Sequence, residues 1–132
     1  MARQRLVLVV DDSENDLFLL KRGFEKAGVS VALEWVQSGE EAVSYLLREA
    51  ALGLIPSLML LDIKMPGMGG FSVLDWLKTQ TNLKAMPTLM LSGSNLESDK
   101  DLAKALGARD YFMKPTDPQD YIKLGKTWLA LG

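Results

Sequence analysis

Five short apolar runs, at residues 6–10, 31–36, 58–61, 88–91 and 110–113, recur along the chain, and each is followed by a segment of helical period. Runs such as "LVLVV" and "LMLL" lack the apolar–polar alternation of a strand with one wet face, so they read as strands covered on both sides. Strands of this kind, joined by helices, build a parallel sheet between two helical layers. At 132 residues the chain holds one such unit, large enough to bury about two thirds of the surface its unfolded form exposes. Residues 1–132 are read as a single doubly wound α/β domain, with no repeat, linker or low-complexity tract.

Capping residues mark the helices. Ser13 is expected to cap a first helix with Leu17, Leu20, Phe24 and Ala27 on one face and Gly28 as its stop. Ser38 and Glu41 have the spacing of a capping box for the second. The third helix presents Phe71, Leu74 and Leu77, and the fourth Leu102 and Leu106, with Gly107 beyond. Asp117 caps the fifth, Pro118 suits its first position, and Tyr121, Trp128 and Leu129 are expected to face inward. Trp35, Trp76 and Trp128 read as packing residues.

Charge and composition narrow the function. With 15 basic and 17 acidic residues there is no basic field of the kind a nucleic acid or an anionic membrane surface requires. Neither cysteine nor histidine occurs, which removes thiol, zinc-finger and phosphohistidine chemistry from this chain. The apolar run at residues 6–10 is too short for a signal-peptide core, and Pro56 and Ser57 interrupt the longest later one. The expectation is a soluble, cytoplasmic protein whose chemistry runs on carboxylates, hydroxyls and amines.

In an open parallel sheet, ligands bind beyond the carboxyl ends of the strands. The residues there are Asp11 and Asp12 after the first strand, Asp62 after the third, Ser92 after the fourth and Lys114 after the fifth. Three clustered carboxylates cannot all stay ionised unaided, since like charges raise one another's pKa. All-oxygen ligation by few protein groups suits Mg²⁺, and Asp62 beside it is placed to act as a carboxylate nucleophile that forms an aspartyl phosphate. The Ser92 hydroxyl and Lys114 ammonium would then meet phosphoryl oxygens.

Four stretches, "VVDDSEND", "LLDIKMPGMGG", "MLSGSN" and "YFMKP", stand in that order, with separations of 51, 30 and 22 residues between Asp11, Asp62, Ser92 and Lys114. In these motifs and spacings the chain resembles the receiver domains of two-component response regulators. The resemblance implies a flavodoxin-like five-stranded sheet of order 2-1-3-4-5, with Asp62 as phosphoacceptor. It implies Mg²⁺ held by Asp12 directly, Asp11 through water, Asp62 and the Lys64 backbone carbonyl. Further, it implies a cis bond between Lys114 and Pro115 and a switch pair of Ser92 and Tyr111, with Lys64 and Ser94 at positions that tune acyl-phosphate lifetime.

One departure is Met68, Gly69 and Gly70, where many relatives carry Met-x-Asp-Gly, a change expected to loosen the loop. The partners implied are a histidine kinase or phosphotransfer protein as donor and a downstream protein as target. Output is expected through the surface of the fourth helix, fifth strand and fifth helix, by homodimerisation or by binding another protein, since no DNA-binding domain follows the fifth helix. The segments "REAALGLIPS" and "TWLALG" resemble the stand-alone receivers paired with bacterial phytochromes.

Two enzyme-like or carrier readings of the same fold fail on the residues. A flavin carrier needs a hydroxyl- and glycine-rich phosphate cradle after the first strand, where "DDSEND" stands instead. An aspartyl phosphatase wants Asp-x-Asp there, and Ser13 occupies the second position. A phosphorylation-independent pseudo-receiver is the remaining alternative; such modules lack one of the acidic pair, acceptor or lysine, and all are present. The chain is read as a switch and not an enzyme.

Overall fold

The first and third strands end where carboxylates appear, at Asp11 and Asp62. The computed structural model describes residues 5–131. In chain order the elements are β1 (Arg5–Val10), α1 (Glu14–Lys26), β2 (Val31–Val36), α2 (Gly39–Ala51), β3 (Leu58–Leu61), α3 (Gly70–Leu77), a short 3-10 turn (Thr81–Leu83), β4 (Thr88–Ser92), α4 (Glu97–Ala105), β5 (Asp110–Met113) and α5 (Pro118–Leu131). All strand pairs are parallel, in the order β2-β1-β3-β4-β5. The doubly wound topology read from the sequence is the one observed, with strand bounds that differ by one residue at β1 and β4.

Side chains on successive strand residues point to opposite faces; both faces are dry along the central strands β1, β3 and β4, whereas the edge strands β2 and β5, expected to be covered as fully, are only half-buried. Leu8, Val10, Met59, Leu61 and Met90 pack beneath α2, α3 and α4, against Ala42, Leu46, Val73, Leu74 and Ala103. Val7, Val9, Leu58, Leu60, Leu89 and Leu91 face the other way, onto Leu20 and Phe24 of α1 and Tyr121 and Trp128 of α5. Each large aliphatic so buried contributes about 1.5–3 kcal/mol. Phe24 and Phe112 both meet the Trp128 ring edge-on, at 5.9 and 6.1 Å between centroids.

Most of the expected helix signals operate, with specific corrections. Ser13 caps α1 by accepting from the Asp16 N–H at 3.2 Å, and Asp117 accepts from the Gln119 N–H at 3.0 Å ahead of α5. At α2, Ser38 accepts from the Glu41 N–H, but the Glu41 carboxylate turns back to the Gln37 N–H at 2.6 Å and not to that of Ser38. On α4 it is Ala103 that is buried, while Leu102 is 43% exposed. Ala103 is the α4 residue that joins the core cluster, where the periodicity alone suggested a leucine. The Leu129 side chain lies outside the described residues. Among those described, no helix is long and apolar enough to cross a membrane.

The packing of α1 against α5 depends on a glycine. A Cβ added at Gly23 would stand 2.8 Å from the Tyr121 carbonyl oxygen and 2.9 Å from the Tyr121 Cβ, backbone-like neighbours that cannot swing away. At Gly125 the nearest atom is a Phe24 ring carbon at 3.4 Å. Gly23→Ala should therefore lower the unfolding free energy by about 1–3 kcal/mol through overpacking. Gly125→Ala should be neutral or gain up to about 1 kcal/mol of helix propensity. Denaturant unfolding of the two variants checks the contrast, and equal effects would contradict it.

Candidate functional site

At the carboxyl rim, the sheet passes its hydrogen bonding on to the residues that follow the strands. The Asp11 N–H donates to the Val36 carbonyl at 3.1 Å, that of Asp62 to the Val10 carbonyl at 2.9 Å, and that of Lys114 to the Ser92 carbonyl at 2.7 Å. Buried backbone groups demand partners, and here the adjacent strand supplies them. Three functional positions are thereby fixed by the sheet and not by loop conformation.

Asp11 is held at every polar atom. Its carboxylate Oδ1 accepts from the Ser13 N–H at 2.9 Å, its Oδ2 lies 2.9 Å from Lys114 Nζ, and its carbonyl accepts from Trp35 Nε1 at 2.7 Å. Asp62 accepts from the Ile63 N–H at 2.8 Å through Oδ1, while its Oδ2 stands 3.2 Å from Lys114 Nζ. Asp12 is exposed. One carboxylate oxygen from each of Asp11, Asp12 and Asp62 lies within 4.8 Å of the others, so the three carboxylates expected to gather do gather. Such an all-oxygen donor set suits a hard divalent cation.

Lys114 makes a third contact that the sequence did not disclose. Its ammonium lies 2.6 Å from Asp16 Oδ2, closer than to either other carboxylate. Asp16 sits three residues after the α1 cap, where an acidic side chain is ordinary helix N-terminal chemistry, so nothing in the sequence singles it out. In the sequence Trp35 likewise reads as a packing residue; the indole bond that anchors Asp11 appears only once β2 lies beside β1.

Burial pushes the carboxyl groups of both Asp11 and Asp62 above the usual carboxylate range, against the hydrogen bonds and the Lys114 charge that pull them down. For Lys114, burial acts to lower the pKa, but the bonds to Asp16 and Asp11 outweigh it and hold the ammonium above its ordinary value.

Ser92 and Tyr111 grip the same residue. The Ser92 hydroxyl oxygen accepts from the Ser94 N–H at 3.2 Å, and the Tyr111 hydroxyl donates to the Ser94 carbonyl at 2.8 Å. Ser94 in turn hydrogen-bonds Asp99 through its own hydroxyl, which ties the start of α4 to this loop. Lys64 is exposed two residues beyond Asp62.

Two expectations from the resemblance need correction. No peptide bond among the described residues is cis, so Lys114–Pro115 is trans. That isomer is the lower in energy by about 0.5–1 kcal/mol for an X–Pro bond, and in it Lys114 already reaches three carboxylates. Nor is the glycine-rich loop left loose. Glu40 accepts from the Met68 N–H at 2.8 Å, the Gly39 N–H donates to the Met68 carbonyl at 3.1 Å, and the Gly70 N–H donates to the Ile63 carbonyl at 2.9 Å. A Cβ at Gly70 would strike the Asp62 carbonyl, so α3 begins in contact with the acceptor's own backbone.

Comparison with known proteins finds relatives in both sequence and fold. A family model described as response regulator receiver domain matches residues 7–125. PilH of Pseudomonas aeruginosa is 32% identical over 124 residues, covering 94% of this chain and 97% of that protein. The structure of the phosphorylated cyanobacterial phytochrome response regulator RcpA is similar with a TM-score of 0.87 at 27% identity, over 98% of this chain and 97% of that one. The Mn²⁺-bound form of response regulator Rcp1 is similar with a TM-score of 0.81 at 26% identity, over 93% and 90% of the two chains.

Because folding raises the pKa of Asp11 and Asp62, the folded chain binds these two protons more tightly than the unfolded chain. Their contribution to stability is present in full below the ordinary carboxylate pKa and is lost as pH rises through the raised values. In chelator at neutral pH, Asp62→Asn should accordingly stabilise the fold, because the amide is near-isosteric and carries no charge to desolvate. The gain should shrink toward about pH 3, below the ordinary carboxylate pKa, where a carboxyl whose pKa is raised by folding is protonated. Urea unfolding of both proteins at the two pH values measures this. A destabilised variant, or a gain that grows on acidification, would contradict it.

Proposed function

The chain belongs to the response regulator receiver domain family, and from that membership we propose that it is a phosphoryl-accepting switch with Asp62 as the acceptor. The observation that carries this reading is the buried Asp62 carboxylate, set between Asp11, Asp12 and the Lys114 ammonium. An Asp62 carboxylate oxygen attacks the phosphorus of a phosphohistidine on a histidine kinase or phosphotransfer protein. A new O–P bond forms, the P–N bond breaks, and the imidazole leaves with the electron pair.

This chain's own groups position the phosphoryl group and neutralise its charge. Lys114 pairs with one phosphoryl oxygen, and the Ser92 hydroxyl turns from Ser94 to hydrogen-bond another. Asp11, Asp12, Asp62 and the Lys64 backbone carbonyl are the groups that would hold Mg²⁺, which when bound offsets phosphoryl charge as a Lewis acid. Supporting the metal reading are the three clustered carboxylates and the Mn²⁺-bound form of the similar protein Rcp1.

Because Ser92 and Tyr111 share Ser94, drawing Ser92 toward a phosphoryl group breaks one of two holds on the loop that leads into α4. The surface of α4, β5 and α5 then carries output by protein–protein contact, to a downstream protein or a second copy. Hydrolysis of the acyl phosphate resets the switch, which therefore is not an enzyme acting on a substrate. Likeness to a cyanobacterial phytochrome response regulator supports a phytochrome-type kinase as donor, and the switch is read as a cytoplasmic one.

Intact-mass measurement after incubation with acetyl phosphate tests the proposal. Wild type should gain one phosphoryl group in Mg²⁺ and none in chelator, and Asp62→Asn should gain none in either. A wild type that binds Mg²⁺ yet is not phosphorylated by acetyl phosphate or by any histidine kinase would instead favour a phosphorylation-independent interaction module.

A further inference from the structure

A lysine ammonium and a divalent cation make claims on the same carboxylates here. Lys114 Nζ carries three protons and has three carboxylate partners, Asp16 at 2.6 Å, Asp11 at 2.9 Å and Asp62 at 3.2 Å. Asp11 and Asp62 also belong to the cluster of three carboxylates whose oxygens lie within 4.8 Å of one another. Asp16 does not. It is the one partner of Lys114 that the ammonium can keep when the other two turn to a cation, and it is already the nearest.

We propose that Asp16 is a positioning residue: it holds the Lys114 ammonium on the α1 side and so reserves Asp11 and Asp62 for a divalent cation. The inference deepens the metal-dependent reading above and rests on it. The α1 cap fixes the geometry. The Ser13 hydroxyl holds the Asp16 N–H at 3.2 Å, and the Ser13 N–H aims the Asp11 carboxylate inward at 2.9 Å. A single capping residue therefore sets both the carboxylate that keeps the lysine and the one that faces the cation.

Lys114 is only 18% exposed, so an ammonium that loses Asp16 has little water to turn to. It closes instead on Asp11 and Asp62, neutralising the charge that attracts the metal and occupying the oxygens that would ligate it. A supporting carboxylate of this kind governs metal affinity without touching the metal, as outer-shell partners do elsewhere. The same hold keeps the ammonium near the acceptor, ready for a phosphoryl oxygen.

Calorimetric titration with Mg²⁺ at fixed ionic strength, on wild type, Asp16→Asn, Lys114→Met and the double variant, separates this role from a plain charge effect. Asp16→Asn should weaken Mg²⁺ binding on the order of tenfold, and Asp16→Glu should restore part of the loss. In the Lys114→Met background, Asp16→Asn should leave the affinity unchanged, because there is no ammonium to hold back. Equal loss in both backgrounds would show that Asp16 acts only as a negative charge and would overturn the inference. So would an unchanged affinity in Asp16→Asn alone. A wild type that binds no Mg²⁺ would overturn the metal reading itself along with it. Thermal unfolding of each variant in chelator confirms that the comparison is made between folded proteins.

Discussion

Two carboxylates buried at the ends of neighbouring parallel strands are the constraint on which the rest of this molecule turns. Asp11 and Asp62 are 2% and 6% exposed, and ionised groups so placed persist only when opposite charge and hydrogen bonds are supplied. One ammonium supplies it, shared with Asp16, while Asp12 adds a further negative charge at the edge. Four carboxylates about a single lysine leave the rim in excess of negative charge. A divalent cation or a proton relieves that excess, and desolvation by burial, with a smaller push from the neighbouring carboxylate, raises both carboxyl pKa values.

The sheet is what makes the arrangement tolerable. Each of Asp11, Asp62 and Lys114 continues the ladder of its strand through its own N–H, so charges of opposite sign are delivered to fixed points on rigid elements. The apolar layers on both faces then keep β1, β3 and β4 in register. Function here sits where the strands stop, and stability where they run. Ser94, which Ser92 and Tyr111 hold from two sides, ties this rim to the start of α4 through Asp99.

Much of this was legible in the sequence because the strongest signals are local. Unbroken apolar runs gave the strands, and the caps Ser13, Ser38 and Asp117 sit where the helices start. The convergence of Asp11, Asp12 and Asp62 followed from topology alone, since all carboxyl ends of a parallel sheet face one way. What the sequence hid depends on the third dimension. Asp16 is an ordinary first-turn acid until Lys114 reaches it across 98 residues of chain, and Trp35 is an ordinary aromatic until β2 sets it beside the Asp11 carbonyl. Leu102 misled because the periodic pattern does not say which of two adjacent apolar residues, Leu102 or Ala103, turns to the core. The glycine-rich loop misled because Glu40, 28 residues away, holds it.

The most direct test of the central claim, that this rim is short of positive charge and built to take a divalent cation, is a crystal structure grown in Mg²⁺. The account predicts one ion bound among Asp11, Asp12 and Asp62, with Lys114 Nζ still against Asp16 and drawn away from the ligating oxygens. A rim without an ion at millimolar Mg²⁺, with Lys114 still bridging Asp11 and Asp62, would contradict it.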